Sequence, residues 1–301
     1  MTSPQLSIII PTYNRPDFLP HAVQSALGQT LKDIEVVVVD DASDDFPDLP
    51  DDSRLRVIHL EQSRGGAGAR NVGTEAARGR WISYLDDDDY LLPTMAEASL
   101  KAIQTCKMSP PIAVISGLEK ITPDGDVLKV RRPPKLSLKG NHFFLEQPEP
   151  HSSYACKQTL VVERSVMLDI GGWDESFRSR VHSELFLRLN PVCTIVGIPD
   201  ITYRHLSHHS DRVSGNPQLR QESFNRLIVK HHQAFAAHPQ QFSRLVHRHG
   251  EISLEQRQIK AAVKAFIWAL RIEPTSTLRR LANGFKNNLK VYGRRLLPFS
   301  I

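Results

Sequence analysis

Short runs of apolar, β-branched residues alternate with helix-like segments along the first 85 positions of the chain. Leu6–Pro11 and Ile34–Asp40 are two such runs, and each ends at a turn signal, which is typical of buried strands. Between them, apolar residues recur at the spacing of one helical face from Pro16 to Gln29. The same alternation continues with a predicted strand, helix and strand at Arg56–Leu60, Gly68–Ala77 and Trp81–Leu85. The pattern predicts an α/β fold with a mostly parallel, twisted sheet flanked by helices.

The pattern changes twice in the rest of the chain. After residue 110 it predicts two strands joined by a turn at Pro123–Gly125, and then a basic loop at Arg131–Lys135. A helix through Glu184–Leu189 and a strand near Cys193–Val196 follow. Beyond Tyr203 the sheet pattern ends, and an α-helical C-terminal extension is predicted with helices at Gln218–Ala237, Leu254–Leu270 and Thr277–Leu297.

Composition and charge narrow the class of protein. In 301 residues, no apolar stretch approaches the roughly 20 residues that a membrane-spanning helix needs. The three cysteines are scattered, and no export signal is visible, so we expect a cytoplasmic protein. The net charge of +5 is unevenly distributed: Asp40–Asp52 is strongly acidic, whereas the chain beyond Thr275 carries Arg and Lys and no carboxylate side chain.

The candidate chemistry lies after the predicted strands. In open α/β sheets, ligands bind beyond the carboxyl ends of the strands. Pro11–Arg15, Asp40–Asp41 and Asp86–Asp89 all stand there. Four adjacent carboxylates in a cleft repel one another unless a cation neutralises them. If side chains alternate along an extended strand, Asp86 and Asp88 face the same way and can hold Mg²⁺ or Mn²⁺ together with diphosphate oxygens. The alternative is a solvated acidic turn that caps the next helix.

The acidic pair Asp40–Asp41 has two interpretations. In a dinucleotide-binding fold it would hold an adenosine ribose, but that fold needs its glycine fingerprint directly after the first strand. Here Gly65–Gly73 follows the third strand and has Asn71 in place of the last glycine. We therefore favour contacts of Asp41 with a base or ribose, stacking of Tyr13 on the base, and pairing of Arg70 with a phosphate or an acidic partner.

Five motifs occur in a fixed order along residues 5–210. They are Ile8–Arg15, Val38–Ser43, Gly65–Gly73, Tyr84–Pro93 and Gly171–Glu175. Together they resemble the family-2 glycosyltransferases of GT-A fold. The resemblance implies an inverting transfer of a single sugar from a nucleotide-diphosphate sugar to a hydroxyl of a glycan, glycolipid or similar acceptor. It also implies a divalent cation, Mn²⁺ or Mg²⁺, held by an Asp-x-Asp motif.

Roles for individual residues follow from the resemblance by position. It implies a nucleotide-sugar site formed by Pro11, Tyr13, Asp41, Arg70 and Asp87. It also implies a metal site formed by Asp88 and Asp86. It divides the chain into a nucleotide-sugar-binding half at 1–105, an acceptor-binding half at 106–215 and a helical extension at 216–301. Processive synthases of the family carry membrane helices and a Gln-x-x-Arg-Trp motif, which this sequence lacks.

The catalytic base is where the sequence departs from the family. Its relatives usually have a Glu-Asp pair before a Leu-x-Leu-Arg-Leu-like helix, whereas Val181–His182 stands there and Glu184 follows two residues later. We expect His182 or Glu184 to be the base, since an unperturbed histidine with a pKa of about 6.5 can accept a proton. Asp174 or Glu175 are further alternatives. A non-catalytic nucleotide-sugar-binding or membrane-associated scaffold is the other function that this departure leaves open.

Two further groups of residues each have a functional and a purely structural interpretation. His205, His208 and His209 are candidates for another metal or phosphate contact, or they are surface groups. Thr277–Leu297 combines basic and apolar residues, as expected either of a helix on the cytoplasmic face of an anionic membrane or of a solvated helix packed on the catalytic domain. Nucleic-acid binding is not predicted, because neither a stacking platform nor a groove-reading motif accompanies the charge.

Overall fold

The structure is a computed structural model that describes residues 3–147, 149–207 and 216–282. These residues fall into two compact units that divide between Leu227 and Ile228. Over the described residues, the first unit contains one sheet with strand order β3-β2-β1-β4-β9-β6-β10-β5, and β7 and β8 pair with β6 and β10. The strands are β1 Leu6–Thr12, β2 Ile34–Asp40, β3 Leu55–His59, β4 Trp81–Tyr84, β5 Tyr90–Leu91, β6 Ile112–Ile121, β7 Val127–Arg131, β8 Leu136–Ser137, β9 Val161–Glu163 and β10 Thr194–Leu206.

The sheet is mixed. β3, β2, β1 and β4 are parallel neighbours, as the alternating pattern predicts. β9 is antiparallel to both β4 and β6, whereas β6 and β10 are parallel to each other. The α/β prediction is therefore confirmed, with antiparallel strands in the second half of the sheet.

Helices cover both faces of the N-terminal strands. In the first unit they are α1 Leu19–Leu27, α2 Gly65–Ala76, α3 Met95–Thr105, α4 Arg164–Asp169 and α5 Val181–Leu189. All side chains of β1 and β2 are buried, because helices pack on both faces and strands lie on both edges. Ile8 and Ile10 pack with α1, whereas Ile9 lies on the opposite face under α2. Gly73 permits this close contact, since a Cβ there would lie 2.4 Å from Cγ2 of Ile9.

Strand β10 is longer than predicted. The sequence predicts a strand only near Cys193–Val196, because Pro199 interrupts the apolar run. The structure continues the strand to Leu206 and absorbs the interruption as register shifts between Gly197 and Tyr203. The extra length carries the end of β10 to β5, which follows the acidic turn.

The helical extension is confirmed, but its helix boundaries differ from the prediction. The segment predicted as one helix at Gln218–Ala237 is two helices, α6 Pro217–Lys230 and α7 His232–Ala237. The prediction of one helix over Leu254–Leu270 is wrong, because α8 ends at Glu255 and α9 begins at Ile259, with Arg257 between them at φ +60°. These last two helices are α8 Pro239–Glu255 and α9 Ile259–Ile272.

The predicted terminal helix is described only in part. Residues 274–282 are helical, and positions 283–297 of the Thr277–Leu297 prediction lie outside the described residues. Over the part of the chain that the structure describes, no helix is both long and apolar enough to cross a membrane.

Candidate functional site

The polar groups predicted after β1, β2 and β4 meet at one edge of the sheet. These three strands are parallel neighbours, so their carboxyl ends lie side by side. The backbone N–H of Asp41 donates to the carbonyl oxygen of Thr12 at 2.9 Å. The hydroxyl of Thr12 donates to Oδ2 of Asp87 at 2.8 Å. Hydrogen bonds thus connect the ends of all three strands.

The four aspartates form a turn. β4 ends at Tyr84, and the backbone N–H of Asp89 donates to the carbonyl oxygen of Asp86 at 3.1 Å. The expectation that strand alternation aligns Asp86 with Asp88 is therefore wrong. The aspartates differ in solvent exposure instead: the side chain of Asp86 is 31% exposed, that of Asp88 is 11% exposed, and that of Asp89 is fully buried. Asp86 and Asp88 remain accessible to a ligand.

Two arginines balance part of this negative charge. Arg70 from α2 forms a short ion pair with Asp86 and donates to the carbonyl oxygen of Gly66 at 2.9 Å. Arg15 lies 3.5 Å from Oδ2 of Asp88. Desolvation works to raise the pKa of Asp86, but Arg70 and nearby histidines lower it below its ordinary value. Burial raises the pKa of Asp87 to about 7, and the charges of its two neighbouring carboxylates add to that rise. The turn thus holds four carboxyl groups close together, with one arginine beside Asp86 and one beside Asp88.

Asp89 holds the end of β10. Its carboxylate accepts hydrogen bonds from the hydroxyl of Tyr203 at 2.8 Å and from the backbone N–H of Leu206 at 3.0 Å, and Oδ2 lies 3.0 Å from Nδ1 of His205. This places His205 beside the acidic turn, where its charge helps to lower the pKa of Asp86. The other two candidate histidines, His208 and His209, lie outside the described residues.

The donor set fits a hard divalent cation. Carboxylate oxygens are the ligands that Mg²⁺ and Mn²⁺ prefer. Asp86 and Asp88 offer such oxygens with access to solvent. Asp89 does not fit the role of ligand, because its oxygens hold β10.

The candidate nucleoside residues lie beside this turn. Asp41 accepts hydrogen bonds from the hydroxyl of Ser63 at 2.6 Å and from the backbone N–H groups of Arg64 and Gly65 at 2.7 and 2.8 Å. Asp41 therefore fixes the loop that begins α2, and any contact with a nucleoside uses its remaining lone pairs. Tyr13 is 50% exposed directly after β1, which leaves its ring free to stack. Pro11 is buried in β1, beyond the last residue of β1 that pairs with β4. The N–H that proline lacks therefore removes no hydrogen bond between these two strands.

Asn71 fixes the Gly171–Glu175 loop, a role that the sequence did not indicate. Its side-chain amide donates to the carbonyl oxygen of Trp173 at 2.9 Å, and its carbonyl oxygen accepts from the backbone N–H of Trp173 at 2.7 Å. It also donates to Glu175 at 2.9 Å. The only sequence signal was that Asn71 interrupts a glycine fingerprint. The Trp173 ring held in this way lies 5.2 Å below the guanidinium of Arg70.

The two candidate bases occupy different environments. The His182 ring packs edge-on against Trp173 at 5.0 Å, and burial lowers its pKa to about 3, against the opposing effect of the nearby Asp86 charge. Glu184 is buried, and its two oxygens accept from the guanidinium of Arg188 at 2.7 and 2.6 Å. The structure thus brings His182 near the acidic turn and directs Glu184 into an ion pair within α5.

The further alternatives, Asp174 and Glu175, are both engaged in local contacts. Asp174 accepts hydrogen bonds from the backbone N–H and the hydroxyl of Ser176 at 2.9 and 2.6 Å. Glu175 pairs with Arg64 at 2.6 Å as well as with Asn71. These contacts position the loop in which both residues lie.

Comparisons with known proteins give consistent results. The family model "Glycosyl transferase family 2" matches residues 7–147. Succinoglycan biosynthesis protein ExoO of Rhizobium meliloti is 37% identical over 132 residues, which are 42% of this chain and 37% of ExoO. WfaP of Escherichia coli, a UDP-Glc:alpha-D-GlcNAc-diphosphoundecaprenol beta-1,3-glucosyltransferase, is 41% identical over 107 residues, which are 34% of this chain and 43% of WfaP. The chain thus spans less than half the length of these two relatives.

The fold comparison covers more of the chain. The crystal structure of Staphylococcus aureus TarS 1-349 in complex with UDP-GlcNAc superposes with a TM-score of 0.63 over 91% of this chain and 82% of that chain, at 17% identity. At this identity the likeness concerns the fold alone, and it includes the helices that follow the sheet. The family match and the superposition agree with the motifs read from the sequence. Residues 7–147 are thus similar to glycosyl transferase family 2, and the fold of the described residues is the GT-A fold.

Proposed function

We propose that this chain is an inverting glycosyltransferase that moves one sugar from a nucleotide-diphosphate sugar to a hydroxyl of a glycan or lipid-linked acceptor. The observation that carries the proposal is the acidic turn Asp86–Asp89, which lies at the same strand edge as Tyr13 and Asp41 and is flanked by Arg15 and Arg70. A cation-assisted diphosphate site beside an exposed aromatic ring and a carboxylate suits a nucleotide-sugar.

On the donor side, Tyr13 stacks on the base and Asp41 contacts the base or ribose, while Pro11 shapes the strand end below them. A uridine diphosphate sugar is the first donor to test, because TarS was crystallised with UDP-GlcNAc and WfaP carries a UDP-Glc donor in its name. Arg70 and Asp87 support the pocket through their contacts with Asp86 and Thr12.

On the diphosphate side, Asp88 and Asp86 would hold Mn²⁺ or Mg²⁺. Such a cation, when bound, offsets the negative charge that builds on a departing nucleoside diphosphate. Asp89 keeps His205 beside the turn, where the histidine is a candidate for a further contact. Arg15 adds a positive charge near Asp88 at the same edge.

On the acceptor side, His182 is the base that the geometry favours over Glu184. Its ring lies near Asp86, whose charge favours a protonated imidazole and opposes the burial that lowers the pKa of His182, whereas Glu184 is held in its ion pair with Arg188. The acceptor oxygen bonds to the anomeric carbon as the bond from that carbon to the diphosphate oxygen breaks, and the electron pair leaves with the diphosphate. The hydroxyl proton passes to the imidazole. Attack from the face opposite the leaving group inverts the anomeric centre.

A second candidate is a non-catalytic nucleotide-sugar-binding scaffold. The observation that favours it is the missing Glu-Asp pair at the start of α5, where Val181 and His182 stand. Such a scaffold binds a nucleotide-sugar but transfers nothing from it.

One experiment separates the candidates. Purified protein is incubated with labelled UDP-sugars and Mn²⁺, and both hydrolysis and transfer to a glycan or lipid-linked acceptor are measured. The enzyme is expected to turn over, with His182→Ala at least about 100-fold slower, the usual contribution of a positioned base. Binding without turnover would establish the scaffold. Wild-type rates in both His182→Ala and Glu184→Gln would remove these two residues from the mechanism.

The compartment is also a proposal. We place the reaction at the cytoplasmic side, supported by Cys106, Cys156 and Cys193, which are free thiols, as expected in a reducing environment.

A further inference from the structure

Helix α9 packs against α8 through small and aromatic side chains. Its buried residues are Ala262, Ala265 and Ala269, which pack against α8. The contact is close: a Cβ added to Gly250 of α8 would lie 2.8 Å from Cε1 of Phe266. Phe266 and Trp268 of α9 also pack against His247 and Phe242 of α8, whereas three β-branched residues of α9 remain exposed.

The outward side of α9 carries a continuous apolar stripe. Ile259, Val263 and Ile267 are spaced four residues apart, so they line one side of the helix. Their exposed fractions are 63%, 49% and 46%. Single exposed apolar residues are ordinary on protein surfaces, but an aligned row of β-branched side chains is a candidate contact surface.

A basic stripe runs beside the apolar one. Lys260 and Lys264 each follow a stripe residue by one position, which is a rotation of about 100° around the helix. Arg271 continues the row, and all three side chains are exposed. Within the described residues from 256 onward, Glu273 is the only acidic side chain. The exposed side of α9 is therefore half apolar and half cationic.

We propose that the outward side of α9, formed by these two stripes, binds the surface of a bilayer that contains anionic phospholipids. Lysine and arginine meet the headgroup charge while the aliphatic row enters the boundary between headgroups and acyl chains. The charge complementarity selects a lipid surface over a neutral protein partner. The proposal concerns the second compact unit, Ile228–Ile301, and does not depend on the transfer reaction.

The test is cosedimentation of the full chain with phosphatidylcholine vesicles that contain 0% or about 30% phosphatidylglycerol, at about 0.1 M salt. One variant removes the cationic stripe through Lys260→Gln, Lys264→Gln and Arg271→Gln. A second variant removes the apolar stripe through Ile259→Gln, Val263→Gln and Ile267→Gln. A matched control removes the same charge from exposed lysines of the first unit through Lys101→Gln, Lys107→Gln and Lys129→Gln. Every variant retains residues 283–301.

The wild-type chain is expected to bind the anionic vesicles and not the neutral ones. Each basic residue near an anionic surface raises partitioning about fivefold, so the charge variant should bind about 100-fold more weakly. The apolar variant should also bind at least about tenfold more weakly, because it loses three aliphatic contacts. The lysine control should bind within about twofold of wild type.

Three results would overturn the proposal. The first is absence of wild-type binding to anionic vesicles, and the second is equal weakening by the lysine control. The third is a dimer in light scattering that only the apolar variant dissociates, which would mean that a second copy covers the stripe. Circular dichroism and the unfolding temperature, both expected to match wild type because the changed side chains are exposed, verify that the variants are folded.

Discussion

Asn71 connects two distant segments, and replacing it with alanine tests how the candidate site is held. Its side chain makes reciprocal hydrogen bonds with the backbone of Trp173, 102 residues further along the chain, at 2.9 and 2.7 Å. Asn71→Ala leaves the N–H and the carbonyl of Trp173 without these partners. Gly171 and Gly172, at φ +78° and +66°, form the turn that leads into Trp173.

The expected loss follows from the two orphaned backbone groups. An unsatisfied buried polar group costs about 1–3 kcal/mol, and water entering the partly exposed loop recovers some of that cost. We therefore expect Asn71→Ala to lower the free energy of unfolding of the first unit by about 2–4 kcal/mol. Asn225→Ala is the matched control, since Asn225 is exposed on α6 and accepts a hydrogen bond from Gln221 at 3.0 Å. The control should change stability by less than about 0.5 kcal/mol.

The assay is urea denaturation followed by tryptophan fluorescence. Trp268 belongs to the second unit, so a Trp268→Phe background makes the signal report Trp81 and Trp173 of the first unit. A difference of less than about 0.5 kcal/mol between the Asn71 and Asn225 variants would refute the idea that this side chain holds the loop.

Two further predictions concern buried charges. Glu184→Gln should destabilise the first unit by about 2–4 kcal/mol, because the half-buried Arg188 loses its carboxylate partner. Glu75→Gln, on the exposed side of α2, is the control and should leave the stability unchanged. Equal urea midpoints for the two variants would contradict this prediction. Burial lowers the pKa of Lys157 from 10.5 to about 8. Between pH 8 and pH 10.5 the unfolded chain therefore binds more protons than the folded one, and the free energy of unfolding should rise with pH over that range. Lys157→Met should remove about 2 kcal/mol of that rise between pH 8 and pH 10, whereas Lys101→Met should leave it unchanged. Parallel pH profiles for the wild type and Lys157→Met would contradict the assignment.

The parts of the fold that follow local patterns could be predicted from the sequence. β2 was predicted with its observed limits, because Ile34–Asp40 is an uninterrupted buried run between turn signals. The acidic residues were placed at the correct edge, since parallel strands align their carboxyl ends. Helix α8 is not predicted because its sequence is rich in histidine, glutamine and arginine, and most of its buried positions are small or polar residues such as Ser243, His247 and Gly250.

Long-range contacts could not be predicted from a single sequence. Asp89 accepts its hydrogen bonds from residues 114 to 117 positions away, so its neighbours along the chain gave no sign that it differs from Asp86 or Asp88. The Glu184–Arg188 pair is different, because its i, i+4 spacing was visible in the sequence and favours an ion pair over a catalytic role.

The central claim is that Asp88 and Asp86 bind a divalent cation that holds the diphosphate of a nucleotide. Isothermal titration calorimetry of the full chain with UDP, GDP, CDP and dTDP, each in Mn²⁺ and in EDTA, tests it most directly. Asp88→Asn is the variant, and Asp124→Asn, exposed in the turn between β6 and β7, is the matched control. We predict that one nucleotide binds at least about tenfold more tightly with Mn²⁺, that Asp88→Asn abolishes the gain, and that Asp124→Asn retains it. Equal affinity in Mn²⁺ and EDTA for all four nucleotides, or an undiminished Mn²⁺ effect in Asp88→Asn, would contradict the claim.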